Sequence, residues 1–394
     1  MRKKILIVAL FLLAALILSG CTGATAWPGL SAVNNVAYLA HTNVVYAVDV
    51  RTGAKLWSFT GEKGGFLNSN PSLFVTTPLL TEDGLLIVLD SGNKHIIYGV
   101  DTKDVSQDGI PNVAWKFSGI CVSQSEACTA VKGHWVATPL IVGNRLFAPN
   151  SDGNVYVLDL QDGQSDKKAK TIELSKSADQ TDQDRLWAQP VTDGERLYVT
   201  SLDHRLYAID LQTNQEVWVE ELSAAIPGSP VLGSDGMLYV GSLAKQLERF
   251  DPATGKHDAV LDTNGWIWGT PIVDGDNLYF STVLNVGSTS EGFLYSYNTK
   301  DGRLNWDPIH LDGAITASPL LLGDRLIIAT ESGDVYSVGK DGAVDTWYHP
   351  AEKGKAYTTP IIAGDYVLVA YIESDYYLIA LDSDGDVQWT FAGK

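Results

Sequence analysis

One phrase recurs through the chain and limits what it can fold into. RLYAIDLQTNQEVW (205–218) returns as VVYAVDVRTGAKLW (44–57), FLYSYNTKDGRLNW (293–306) and YLIALDSDGDVQW (377–389). Each copy reads as an alternating strand, a polar turn with Gly or Asn, and a second strand ending in tryptophan. A proline opens each unit and a residue that is usually Asp precedes the turn. The pairs are Pro28–Asp49, Pro78–Asp101, Pro139–Asp159, Pro190–Asp210, Pro230–Asp251, Pro271–Asn298, Pro319–Gly339 and Pro360–Asp382. Seven of the eight separations lie between 20 and 23 residues, and the sixth is 27 because LNVGSTSEG is inserted. Between proline and turn stand a short apolar run, a Gly-polar turn, an alternating strand, a second turn and a third strand. Four strands are too few to bury a face alone, so the units must stack. Stacked around an axis they leave only short edges. The expectation is an all-β, eight-bladed β-propeller of four-stranded antiparallel blades over 27–394.

The tryptophans at 57, 115, 218, 306, 347 and 389 recur at the end of a unit. Bulk of about 200 Å² at one place per unit reads as a wedge between adjacent blades. Units three and five lack it, and unit seven (SVGKDGAVDTW) lacks the Asp. No strand-like segment before Trp27 is available to pair with the last blade.

The first residues lie outside the repeat. MRKK is a basic start, ILIVALFLLAALIL (5–18) is a 14-residue apolar run, and LSGC places small residues before Cys21. The run falls short of the roughly 20 residues of a membrane span and reads as an export signal. Its ending resembles the bacterial lipoprotein signal, which implies lipidation of Cys21. Two or more acyl chains give stable anchoring. The division expected is a signal at 1–20, a lipidated linker at 21–26 and the propeller at 27–394. Ordinary secretion with Cys21 incidental is the plainer alternative. Thr22, rather than Asp, follows the cysteine; the lipoprotein rule then implies the outer membrane in a two-membrane host and the outer leaflet of the cytoplasmic membrane in a one-membrane host.

Cys121 and Cys128 stand in one polar segment, CVSQSEAC. In an oxidising compartment this reads as a disulfide before a metal pair or a catalytic thiol. The formal charge of −19, with acids and bases mixed, argues against nucleic acid or anionic lipid as partners. It favours a soluble surface, and a monomer is expected.

The pattern LYALD-x-x-TG-x-x-x-W, matched closely by 44–57 and 205–218, resembles the pyrroloquinoline-quinone-type propeller repeat. Eight units with a lipoprotein signal resemble the outer-membrane assembly lipoproteins of the BamB type. The resemblance implies a non-catalytic envelope scaffold that contacts other envelope proteins. The repeat's dehydrogenase relatives hold a quinone and calcium with a catalytic Asp, and many carry adjacent cysteines. No Cys-Cys pair or suitable polar cluster is evident here, so neither the quinone nor calcium is expected, and no catalytic residue is assigned. Asp104, Asp108 and Asn112 in DTKDVSQDGIPN offer oxygens for calcium, but without EF-hand spacing; an unusually long acidic surface turn is the better reading.

Function should lie where units differ. The cysteine segment, the long connection from 162 to 185 and the insertion near Asn285–Gly292 all fall at one end of the blades. Three or four residues before the opening prolines stand Phe74, Trp135, Trp187, Trp268 and Tyr357. They form either packing at the top of the axial channel or a platform for a small ligand or glycan.

Overall fold

The structure is a computed structural model that describes residues 27–61, 71–120, 129–164, 171–175, 186–286, 289–350 and 354–393. Every regular element among them is a strand. Eight antiparallel meanders follow one another as blades 1 to 8: residues 29–59, 79–117, 140–173, 191–221, 231–262, 272–311, 320–348 and 361–391. The expected eight-bladed propeller is the observed fold. In blade 1 the inner strand Gly29–Val33 is followed outward by Val36–His41, Val44–Asp49 and Lys55–Phe59.

The hydrophobic core is divided into slabs. Eight clusters of buried side chains each join two neighbouring blades, blade 8 to blade 1 included. The middle strands carry β-branched, leucine and aromatic residues on both faces because a neighbouring blade covers each side. A single blade therefore has no core of its own, which is why the sequence repeats.

At the hub a side chain bonds backbone across each of the eight junctions. Thr138 Oγ1 accepts from Thr77 N, Thr270 Oγ1 from Ser229 N, Ser318 Oγ from Thr270 N and Thr359 Oγ1 from Ser318 N, at 2.9–3.2 Å. Ser31 Oγ donates to the Pro78 carbonyl, Gln189 Nε2 to Pro139, Thr200 Oγ1 to Gly228 and Thr358 Oγ1 to Pro28, at 2.5–2.9 Å. Proline suits the start of the inner strand, whose free edge faces the axis and needs no donor there.

The quoted repeat is a joint between blades. Asp49, Asp210 and Asp251 accept from the amides two and three residues on, closing the turn. Gly53 and Gly255 then adopt φ of 69° and 76°, which glycine alone tolerates freely. The preceding blade's tryptophan lies on that glycine: Trp389 on Gly53 and Trp218 on Gly255, where a Cβ would meet the indole ring within 2.8 Å. The indole N–H donates to the carbonyl just after the turn-opening residue of the next blade: Trp115 to Leu160, Trp218 to Pro252, Trp306 to Lys340 and Trp389 to Val50, at 2.7–3.3 Å. Trp57 and Trp347 are also buried at their junctions.

Blade 3, which lacks the tryptophan, uses an arginine. Arg145 Nη1 donates to the Leu211 carbonyl at 2.8 Å, the position an indole reaches elsewhere, and Nη2 to Asn214 Oδ1 at 2.7 Å. Asn214 stands where the turn of blade 4 would otherwise carry glycine, at φ 58°. At the other junction without a tryptophan, the buried Tyr239 and Tyr297 rings lie 6.5 Å apart between blades 5 and 6.

Two expectations about turns are corrected. The segment 101–112 is a β-hairpin rather than a long turn: one strand runs to Val105, the next begins at Pro111, and these two residues pair. Asn112 Nδ2 donates to Asp104 Oδ2 at 2.6 Å, so these two candidate calcium ligands bond each other. The hairpin turn also accepts a bond from blade 1, from Ser58 N to the Gly109 carbonyl. The insertion in unit six lengthens two strands to ten residues each, Asn277–Val286 and Thr289–Asn298, paired to their ends. Among the described residues, ring closure uses no exchanged strand. The first strand stays in blade 1 and the last in blade 8.

Candidate functional site

Meander geometry places the entrances to the inner strands and the second-to-third-strand loops at one end of every blade. That loop face holds the aromatic residues singled out in the sequence, but they divide into two sets. Phe74 and Trp135, four residues before their prolines, are wholly buried and belong to the cores between blades 1 and 2 and blades 2 and 3. They are not available to a ligand. Trp187, Trp268 and Tyr357 stand three residues before theirs and are only partly buried. The entering segment is extended, so a step of one residue turns the side chain from the blade interface to the axial mouth. Burial alternates along 72–78 and 133–139 in the same way. Leu186, Ile267, Ile315 and Ala356 are the buried counterparts of Phe74 in other units.

The richest part of this face lies where blade 8 meets blade 1. Trp27 stacks on Tyr357, with ring centres 5.1 Å apart and planes 5° from parallel. Lys355 pairs with Glu373 at 3.0 Å, and that bond holds the ammonium above its ordinary pKa. Burial pushes the Glu331 carboxyl up, against the opposing charge of Lys355. Burial likewise raises the Tyr357 phenol. Behind them His41 stacks on Tyr377 at 4.0 Å, and its Nε2–H donates to the Tyr371 carbonyl at 3.3 Å. Burial lowers the His41 pKa. The sequence offers no signal for Glu331 or Lys355, since each belongs to a loop whose length varies between units.

A second polar group sits over blades 2 and 3. His95 and His134 lie 4.8 Å apart, and His134 Nδ1–H donates to the Ser91 carbonyl at 2.8 Å. Burial and the neighbouring His134 lower the His95 pKa. Asp90 is wholly buried, and its Oδ1 accepts from Leu73 N and Gly92 N. These bonds organise the loops. Among the described residues no cluster of three or more His, Cys, Asp or Glu has the geometry to hold a metal. Cys21, Cys121 and Cys128 lie outside the described residues; Ile120 and Thr129, which flank the last two, pair as antiparallel partners.

A family model described as outer membrane protein assembly factor BamB matches residues 22–258, 223–349 and 290–394, taking in all eight blades. The chain belongs to this family. The BamB of Yersinia pestis is 22% identical over 348 residues, 79% of this chain and 83% of that one. The crystal structure of BamB from Moraxella catarrhalis superposes with a TM-score of 0.63 at 16% identity, covering 91% of this chain and 94% of that one. A computationally designed protein, Ika8, gives 0.60 at 13% identity over 92% and 95%. Since a designed ring matches nearly as well as a natural BamB, the shared fold carries no function by itself. Membership of the BamB family rests on the sequence match.

Proposed function

We propose that this protein is a non-catalytic lipoprotein of the cell envelope, anchored through Cys21, and that its ring is a rigid platform for other envelope proteins during outer-membrane protein assembly. The observation that carries the reading is the family match along all eight blades. The recurring residues support it: tryptophans, glycines, Asp caps and hub hydroxyls are occupied in holding blades together. What remains variable is the loop face, and a stiff disc with differing loops suits protein contact. The reading includes no quinone or calcium. Titrating the purified protein with pyrroloquinoline quinone and calcium should leave its spectrum as the sum of the parts.

The experiment is crosslinking in intact envelopes followed by pull-down. Recovery of a membrane-embedded partner supports the platform. A second reading, capture of a small ligand or glycan, is favoured by the partly exposed Trp187 and Trp268, whose rings suit a sugar face. Replacing Trp187, Trp268 and Tyr357 together by Ala separates the two. Glycan binding that the native protein shows and the triple variant loses, with no membrane-embedded partner crosslinked to either, would overturn the platform reading in favour of ligand capture.

A further inference from the structure

Of the large apolar side chains that are strongly exposed among the described residues, only two are aromatic: Trp27 at 40% and Tyr376 at 43%. Both belong to the loop face at the junction of blades 8 and 1. Trp27 enters blade 1 and stacks on Tyr357, which enters blade 8. Tyr376 sits in the blade 8 loop whose next residue, Tyr377, stacks on His41 of blade 1. Of the aliphatic members of the set, Leu56, Val113, Val217, Val344 and Val387 lie on outer strands, and Val33, Leu232 and Ile362 on inner ones. Tryptophan and tyrosine are the residues that settle at the boundary between water and lipid, with ring in the apolar layer and polar edge in the headgroups.

The length of chain before Trp27 adds a second, independent constraint. Five residues, 22–26, separate it from Cys21. Fully extended, that tether reaches about 20 Å. A path from Trp27 around the rim to the opposite face would cross three strand spacings, about 14 Å, and then descend a five-residue strand of about 17 Å. The tether is too short for that route. If the chain is lipidated at Cys21, the face that carries Trp27 is the face held near the lipid.

We propose that the loop face at the junction of blades 8 and 1 rests against a zwitterionic lipid surface, with Trp27 and Tyr376 at headgroup depth. The surrounding charges select the zwitterionic surface. Glu331, Glu373 and Asp375 outnumber Lys355 there, and Lys355 is paired with Glu373. An anionic bilayer would repel such a patch.

This orientation rests on the lipid anchor proposed above, so the test reads the two separately. The full-length lipoprotein is reconstituted into phosphatidylcholine vesicles whose acyl chains carry bromine near the headgroup. Flotation and the mass of the N-terminal peptide report the anchor. Tryptophan emission of the native protein, minus that of Trp27→Phe, reports Trp27. The expected result is that both proteins float and that the difference emission is shifted to the blue and quenched by brominated lipid. Tyr376→Trp in the Trp27→Phe background should restore a quenched component. Proteins that float with an unquenched difference emission overturn the orientation and leave the anchor standing. A protein that carries no lipid and does not float overturns both.

Discussion

The indole N–H of Trp389 donates to the carbonyl of Val50 across 2.7 Å, joining residues 339 positions apart in the chain. This bond closes the ring, and it is the same bond that Trp115, Trp218 and Trp306 make between sequential blades. Trp389→Phe keeps an aromatic ring over Gly53 and loses the bond, at a cost of about 1 kcal/mol. Trp389→Ala also loses the packing, and should cost about 3 kcal/mol. Urea unfolding measures both, with an unchanged slope showing that the whole ring still unfolds as a unit. Equal effects of Phe and Ala would remove the role assigned to the hydrogen bond.

Arg145 and Asn214 form the substitute joint between blades 3 and 4. Arg145→Ala should destabilise by about 1–3 kcal/mol, because the buried Leu211 carbonyl loses its donor. Asn214→Gly should cost less, since only one bond goes. A double-mutant cycle should give a coupling of at least about 0.5 kcal/mol. Additivity of the two changes would mean that the contact carries no stability.

Acid should loosen the closing junction. Burial lowers the His41 pKa in the fold, so the unfolded chain binds this proton more readily. The penalty is absent above the unfolded value of about 6.5 and grows as pH falls from there toward the folded pKa. His95 is shifted in the same direction and adds to the same slope. His41→Phe should therefore lose less stability than the native protein between pH 7.5 and pH 5.5, read from urea midpoints. An identical loss in both would place the acid sensitivity elsewhere.

Cys121 and Cys128 should be joined in the exported protein. Their neighbours Ile120 and Thr129 already pair across the ladder, which brings the chain together on either side of CVSQSEAC. The peptide mass before and after reduction should differ by two hydrogens. Reduction should cost no more than about 2–3 kcal/mol, because the loop it closes is short. Free thiols in protein taken from the envelope would refute the pairing.

The blade count was legible because each blade repeats the same contacts, so period, turn chemistry and tryptophan all point the same way. The substitute joints were not. Arg145 stands at the start of a second strand, far in sequence from the outer-strand position where the tryptophan is missing, and only the folded ring brings it to Leu211. The aromatic face was half legible. Position before the proline identifies the right segment, but whether a side chain points inward or outward depends on a single residue step that separates residues three and four before the proline. Phe74 and Trp135 therefore stand in the sequence among residues that either pack at the axial mouth or bind a ligand, and the fold buries both between blades.

Among the described residues no strand is exchanged between blades 8 and 1. Residues 27 and 391 both lie at the loop face, where a connection between blades 8 and 1 would run if the chain were joined there. The junction that happens to hold the ends uses the same tryptophan joint as those after blades 2, 4 and 6. Linking the present ends and opening the chain at another entrance, such as 223–225 before blade 5, should give a circular permutant with the same ring. In such a permutant a leader attached ahead of blade 5 would place different loops beside the attachment point. The point at which a leader joins the ring, rather than the fold of the ring, would then decide which loops lie beside the attachment.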